Sequence, residues 1–132
     1  MMGKNIVMSL RVFGMVSATA LLAAAGAALP QGDAARGEKR FEECASCHSV
    51  APGENGVGPT LQGIFNRKAG SLEDFRYSPA MRNSGIVWTP ETLDAFITDP
   101  QKVVPGNRMA YAGLPDAADR SDVISYLQKA TK

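Results

Sequence analysis

Polar and apolar positions divide the chain into two regions. No charged residue occurs from Val12 to Gly32. From Asp33 onward, apolar residues stand in short periodic groups among charged ones. Gly37, Phe41, Cys44 and His48 follow at intervals of four, three and four, which sets them on one helical stripe behind an Asp33 N-cap. Ser78-Pro79 supplies a cap and a first-turn proline for a short helix ending at Gly85. Thr89-Pro90-Glu91 repeats that signal, Leu93, Phe96 and Ile97 form an i, i+3, i+4 face, and Asp99-Pro100 stops it. A last helix runs from Asp116 to Lys129, with Val123, Ile124, Leu127 and Ala130 inward.

Strand signals are weak. Residues 49–71 hold five glycines and two prolines, so they predict a long loop with one turn near Leu61–Asn66. Pro105-Gly106 and Gly113-Leu114-Pro115 bracket a second irregular segment. The expected architecture is all-α: four to five helices joined by long Gly/Pro loops. Loops of this length are uncommon in a compact domain unless they serve a function.

Residues 1–30 read as a secretory signal peptide. Lys4 and Arg11 precede an apolar core, and Ala25-Gly26-Ala27-Ala28 offers the small residues of a cleavage site, so the cut is expected near 27–30. The uncharged run of 12–32 is also just long enough to span a bilayer as an uncleaved anchor. Residues 31–132 then form one domain.

Charge narrows the function. The whole chain carries 14 basic and 13 acidic residues. Two of the basic residues and none of the acidic ones lie in the leader, which leaves the domain at −1. A nucleic-acid binder would carry a strongly basic face. Two cysteines cannot build a multi-bridge scaffold. Removing the leader also leaves a domain poor in apolar residues for its size, so something besides side chains is expected in the core.

Cys44-Ala45-Ser46-Cys47-His48 is the most specific motif. The pattern matches the attachment site of c-type haem, with both thiols bonded to vinyl groups and the histidine bound to iron. A structural zinc site needs four ligands, and the chain offers only two Cys and one His. A thioredoxin-like pair needs a strand–helix context. A disulfide is geometrically poor between residues three apart in a helix. Since His48 is the only histidine, a second axial ligand would be methionine. Outside the leader only Met81 and Met109 remain. Met81 reads as a core filler in the short helix, whereas Met109, in an irregular loop, can present one side chain to the iron and is favoured. Two protein ligands leave no open site on iron, which favours electron transfer over catalysis, so no enzyme is expected.

The chain from about residue 32 to 132 resembles the class I cytochromes c of the mitochondrial and bacterial c2 type. The resemblance rests on Gly37-x-x-x-Phe41, Cys44-x-x-Cys47-His48, Gly58-Pro59-x-Leu61 and Arg67-Lys68-x-Gly70. Phe75-x-Tyr77, Gly85-Ile86-x-Trp88, Pro105-Gly106-x-x-Met109 and Tyr126-Leu127 come next in order. It implies the cytochrome c fold around one covalent haem c. It also implies that Gly37 and Phe41 cross the last helix near Tyr126. Pro59 would offer its carbonyl to the His48 ring N–H. Arg67, Tyr77 and Trp88 would bind the haem propionates.

The implied function is a periplasmic one-electron carrier, or alternatively a membrane-tethered cytochrome subunit of one oxidase or dehydrogenase. Its partners would be redox proteins, such as a bc1-type donor and an oxidase, reductase or reaction-centre acceptor. No nucleic acid is expected, a membrane only if the leader stays, and a monomer otherwise. Three positions depart from the pattern: Phe96 replaces a Tyr, Asn107 a Thr and Met81 an Asn. Lys39, Lys102 and Arg108 keep basic positions of the docking ring, whereas Glu43, Gln101, Pro115 and Asp116 fall where lysines are common.

Overall fold

The computed structural model describes Gly3 and residues 30–132. The expected signal peptide therefore lies outside the described residues. Five helices are present among them: α1 (Ala34–Ala45), α2 (Pro79–Arg82), α3 (Pro90–Thr98), α4 (Pro100–Val103) and α5 (Ala117–Ala130). The described residues contain no strand beyond one isolated bridge between Lys68 and Val87. This is the all-α arrangement expected.

Side chains fix the helix starts. Asp33, Ser78, Thr89, Asp99 and Asp116 each accept a backbone N–H of the first turn, satisfying a donor that helical bonding leaves free. Thr89 and Thr92 form a reciprocal capping box. Two boundaries differ from the sequence reading. The helix opened by Ser78 ends at Arg82 rather than Gly85. Pro100 ends α3 but also opens α4, because Asp99 can turn its carboxylate to the Lys102 N–H at 3.1 Å.

α1 and α5 pack directly on each other. Gly37 lies against the Asp122 backbone of α5, and an added Cβ would collide with the Asp122 carbonyl and lie 2.9 Å from Tyr126 Cβ. One turn on, Phe41 meets Tyr126 with ring centroids 5.2 Å apart. Val123, Ile124 and Leu127 of α5 are buried as expected, and Ala130 is half-buried. They join Phe41, Ile64, Trp88, Leu93, Phe96 and Val104 in one core. α3 is tied to α5 by Arg120, whose Nε donates to Asp94 at 2.8 Å.

The α1–α5 contact also holds a charged residue that periodicity does not reveal. Asp122 is covered by Arg36, whose Nε and Nη2 donate to it at 2.7 and 3.0 Å. Asp33 N–H donates to the same carboxylate at 2.6 Å. The Arg36 hydrogen bond, and then that of the Asp33 backbone, hold the Asp122 pKa below the usual carboxylate value. The covering layer is thin, since the Arg36 side chain itself is 67% exposed.

This contact can be tested at two residues. Gly37→Ala forces the helices apart and should cost at least ~1–3 kcal/mol of unfolding free energy in a denaturant titration. For Asp122 the pKa is depressed on folding, so its contribution is complete above the unfolded pKa of about 4 and is lost as pH falls through the folded value. Asp122→Asn should lower the thermal midpoint at pH 7, and the deficit should vanish in acid.

Candidate functional site

The site begins where α1 ends. Regular helix stops at Ala45, so Cys47 and His48 lie in a turn and the expected single helical stripe stops short of His48. The turn stays tight because the Cys44 carbonyl accepts both the Cys47 N–H at 3.0 Å and the His48 N–H at 2.9 Å. Cys44 and Cys47 form no disulfide. Burial, and then the neighbouring Glu43 carboxylate, push the Cys44 thiol up to about 11.

The 49–71 loop folds back over this turn. Gly58 N–H donates to Cys47 O at 2.9 Å and Leu61 N–H to Ser49 O at 2.8 Å. Thr60 ties the loop internally, its hydroxyl donating to Ala51 O at 2.6 Å and its N–H to Asn55 Oδ1 at 2.9 Å. This brings Pro59 O to 2.8 Å from His48 Nδ1. A carbonyl can only accept, so Nδ1 carries the proton and Nε2 keeps its lone pair. Gly58 lies behind the ring, and a Cβ there would sit 2.7 Å from Nδ1. Burial lowers the His48 pKa against the opposing Pro59 bond. The imidazole is thus neutral, oriented and left with one nitrogen to bind a metal.

His48 opens onto a cavity of about 340 Å³. Its wall brings together all eight residues singled out from the sequence: Cys44, Cys47, His48, Pro59, Arg67, Tyr77, Trp88 and Met109. Apolar side chains, including Leu61, Ile64, Leu93 and Leu127, complete it. Met81 also reaches the cavity, so it is more than the core filler its helix suggested. A larger concavity of about 860 Å³ lies between the 31–34 segment and the end of α5, and it holds no Cys, His or Met.

The polar groups of the wall differ in how far they are satisfied. Arg67 is half-buried and donates to Gln62 O at 2.8 Å and Thr60 O at 2.9 Å. Burial lowers its pKa, and it pairs with no carboxylate among the described residues. Tyr77 is buried with its ring edge-on to Phe75 at 4.9 Å. Trp88 is buried and packs edge-on to Phe96 at 5.1 Å. Phe96 itself is in the core and does not line the cavity. At the rim, Tyr111 O–H donates to Glu43 at 3.3 Å, and Arg76 and Arg108 are exposed.

Arg76 and Tyr111 line this wall although no sequence motif marks them, and Phe75, quoted in a motif without a role, lines it too. Asn107, noted only as a departure, is buried behind the wall in the Met109 loop. Its signal in the sequence is slight: an asparagine inside a Pro-Gly turn.

The donor set fits a haem. One neutral imidazole nitrogen, two thiols at the spacing for thioether bonds, a thioether sulfur and an apolar wall bounded by Arg67 converge on one space. Among the described residues, no cluster of three or more His, Cys, Asp or Glu forms a metal site.

The fold and cavity define an all-α protein built to hold one prosthetic group. Comparison with known proteins identifies the class. The family described as cytochrome c matches residues 34–131. A cytochrome c2 of Rhodoblastus acidophilus is 50% identical over 99 residues, covering 74% of this chain and 92% of that protein. A cytochrome c2 of Blastochloris viridis is 44% identical over 119 residues, covering 89% and 91%. A cytochrome c of Stellaria longipes is 43% identical over 104 residues, covering 77% and 96%. The chain belongs to the cytochrome c family, in its class I form. Its cofactor is covalently bound haem c, and its chemistry is electron transfer.

Proposed function

We propose that this cytochrome is a periplasmic one-electron carrier whose haem iron is held by His48 and Met109. The supporting observation is the shared cavity, where the His48 ring, the two cysteines and Met109 meet. When bound, haem supplies an iron that cycles between Fe(II) and Fe(III). The chain does the rest. Cys44 and Cys47 anchor the group, and the Pro59 carbonyl orients His48. Arg67, Tyr77 and Trp88 bind the propionates: Arg67 brings a cation, Tyr77 a phenol O–H and Trp88 an indole N–H. His48 and Met109 would both hold the iron, so no residue is assigned a catalytic role.

Met109 is preferred to Met81 as the axial ligand. Met81 is fixed inside α2, whereas Met109 sits on a loop outside any helix. The test is an optical spectrum of the purified protein. A sharp reduced α-band and a weak near-infrared band of Met–iron ligation when oxidised are expected. Met109→Leu should abolish the near-infrared band and Met81→Leu should retain it; the reverse result would reassign the ligand.

The leader supports export, because covalent attachment of haem c in bacteria takes place after export. Cleavage near 27–30 gives a free carrier. The uncharged run of 12–32 favours a second reading, an uncleaved tether that makes the protein a dedicated subunit of one oxidase or dehydrogenase. No helix among the described residues is long and apolar enough to cross a membrane. Sequencing the mature N-terminus separates the two.

The partners are redox proteins, a bc1-type donor and an oxidase, reductase or reaction-centre acceptor, met by a monomer. Glu43, Arg76 and Arg108 all line the cavity, so the charge there is mixed. Electron-transfer rates with an acidic partner should therefore fall only weakly as ionic strength rises. A steep fall would contradict this docking surface.

A further inference from the structure

We propose that Asn107 is the positioning residue for Met109, clamping the 104–113 loop in the form that puts the methionine on the cavity wall. This rests on the reading of His48 and Met109 as the axial ligands.

Asn107 is only 7% exposed, although Gly106 and Arg108 on either side of it are exposed. All its side-chain groups are used. Nδ2 donates to Pro100 O at 2.8 Å and to Val104 O at 2.9 Å. Oδ1 accepts the Met109 N–H at 2.8 Å. The Asn107 main chain is pinned as well. Its N–H donates to Val104 O at 3.1 Å, and its carbonyl accepts Gln101 Nε2 at 3.0 Å. Gln101 Oε1 in turn accepts the Gly106 N–H at 3.2 Å. One buried amide thus joins the end of α4 to the backbone of the proposed ligand.

Truncating Asn107 would not cost all of these groups equally. Pro100 O keeps the Val104 N–H at 3.0 Å, and Val104 O keeps the N–H of residue 107 at 3.1 Å. The Met109 N–H loses the side-chain oxygen that accepts it. The loss therefore falls on the ligand's own backbone, where it favours the form with Met109 off the iron. A hydroxyl at this position could restore the bond to the residue two places on, because Ser makes the same local turn more weakly than Asn. It offers one donor, so it cannot serve both carbonyls.

Imidazole added to the ferric holoprotein binds iron only where Met109 has left. Its apparent affinity therefore reports the fraction of open molecules. Asn107→Ala should raise that affinity about tenfold, as expected for one lost buried hydrogen bond, and should weaken the near-infrared Met–iron band. Asn107→Ser should fall between Ala and the unsubstituted protein. In the unsubstituted holoprotein the Met109 amide should be protected from hydrogen exchange, a measurement that decides the matter even if the variants fail to assemble.

An unchanged imidazole affinity in Asn107→Ala, with the band intact, would overturn the proposal. So would a lowered unfolding midpoint with no change in imidazole affinity, or a Met109 amide exchanging as fast as an exposed one. Absence of the band in the unsubstituted protein would instead sink the His48/Met109 reading, and this inference with it.

Discussion

At Gly37, α1 lies directly on the backbone of α5, and the rest of the fold depends on that approach. A side chain there would separate the helices and withdraw Phe41 from Tyr126. It would also move the far end of α1, which carries Cys44, and with it the following turn that holds Cys47 and His48 at the cavity. The contact is reinforced from outside by the Arg36–Asp122–Asp33 cluster, which ties the start of one helix to the middle of the other. A site built of turns and loops thus rests on a helix pair whose position is fixed by steric necessity.

The long loops are ordered by a second principle. They lack a ladder of their own, so their backbone groups are satisfied by side chains and by each other. Thr60 closes the loop that carries Pro59, Arg67 spans two carbonyls of its own loop, and Asn107 closes the loop that carries Met109. Thr60 and Asn107 stand within two residues of the wall residues they hold, and Arg67 is itself on the wall. The domain is poor in apolar side chains, and its core surrounds a cavity for haem rather than closing on itself. The prosthetic group is part of the hydrophobic interior as well as the redox centre.

Much of this was legible in the residue order. Spacing placed Gly37 and Phe41 on the buried face of α1, and caps located the starts of α1, α2 and α3. The Cys-x-x-Cys-His motif named the chemistry, because two thiols and an imidazole in one turn answer to very few ligands. Helix ends were less legible. A proline reads as a stop, but at Pro100 it serves equally as the first residue of α4 once Asp99 is free to cap it. Met81 could not be placed, since its own helix says nothing about which distant side chains it will face.

The helices, the haem-binding turn and the near balance of charge in the domain are properties of the residue order alone, because they depend on local neighbours or on simple counting. Which side chains share a wall is settled only on folding. Long-range packing brought Pro59 to His48, set Arg67 beside the cavity, and buried Asp122 and Asn107 with their partners. Burial makes the difference. A polar residue shows no preference in the sequence for sitting inside, and its cost is met only when the fold supplies donors and acceptors at hydrogen-bond distance.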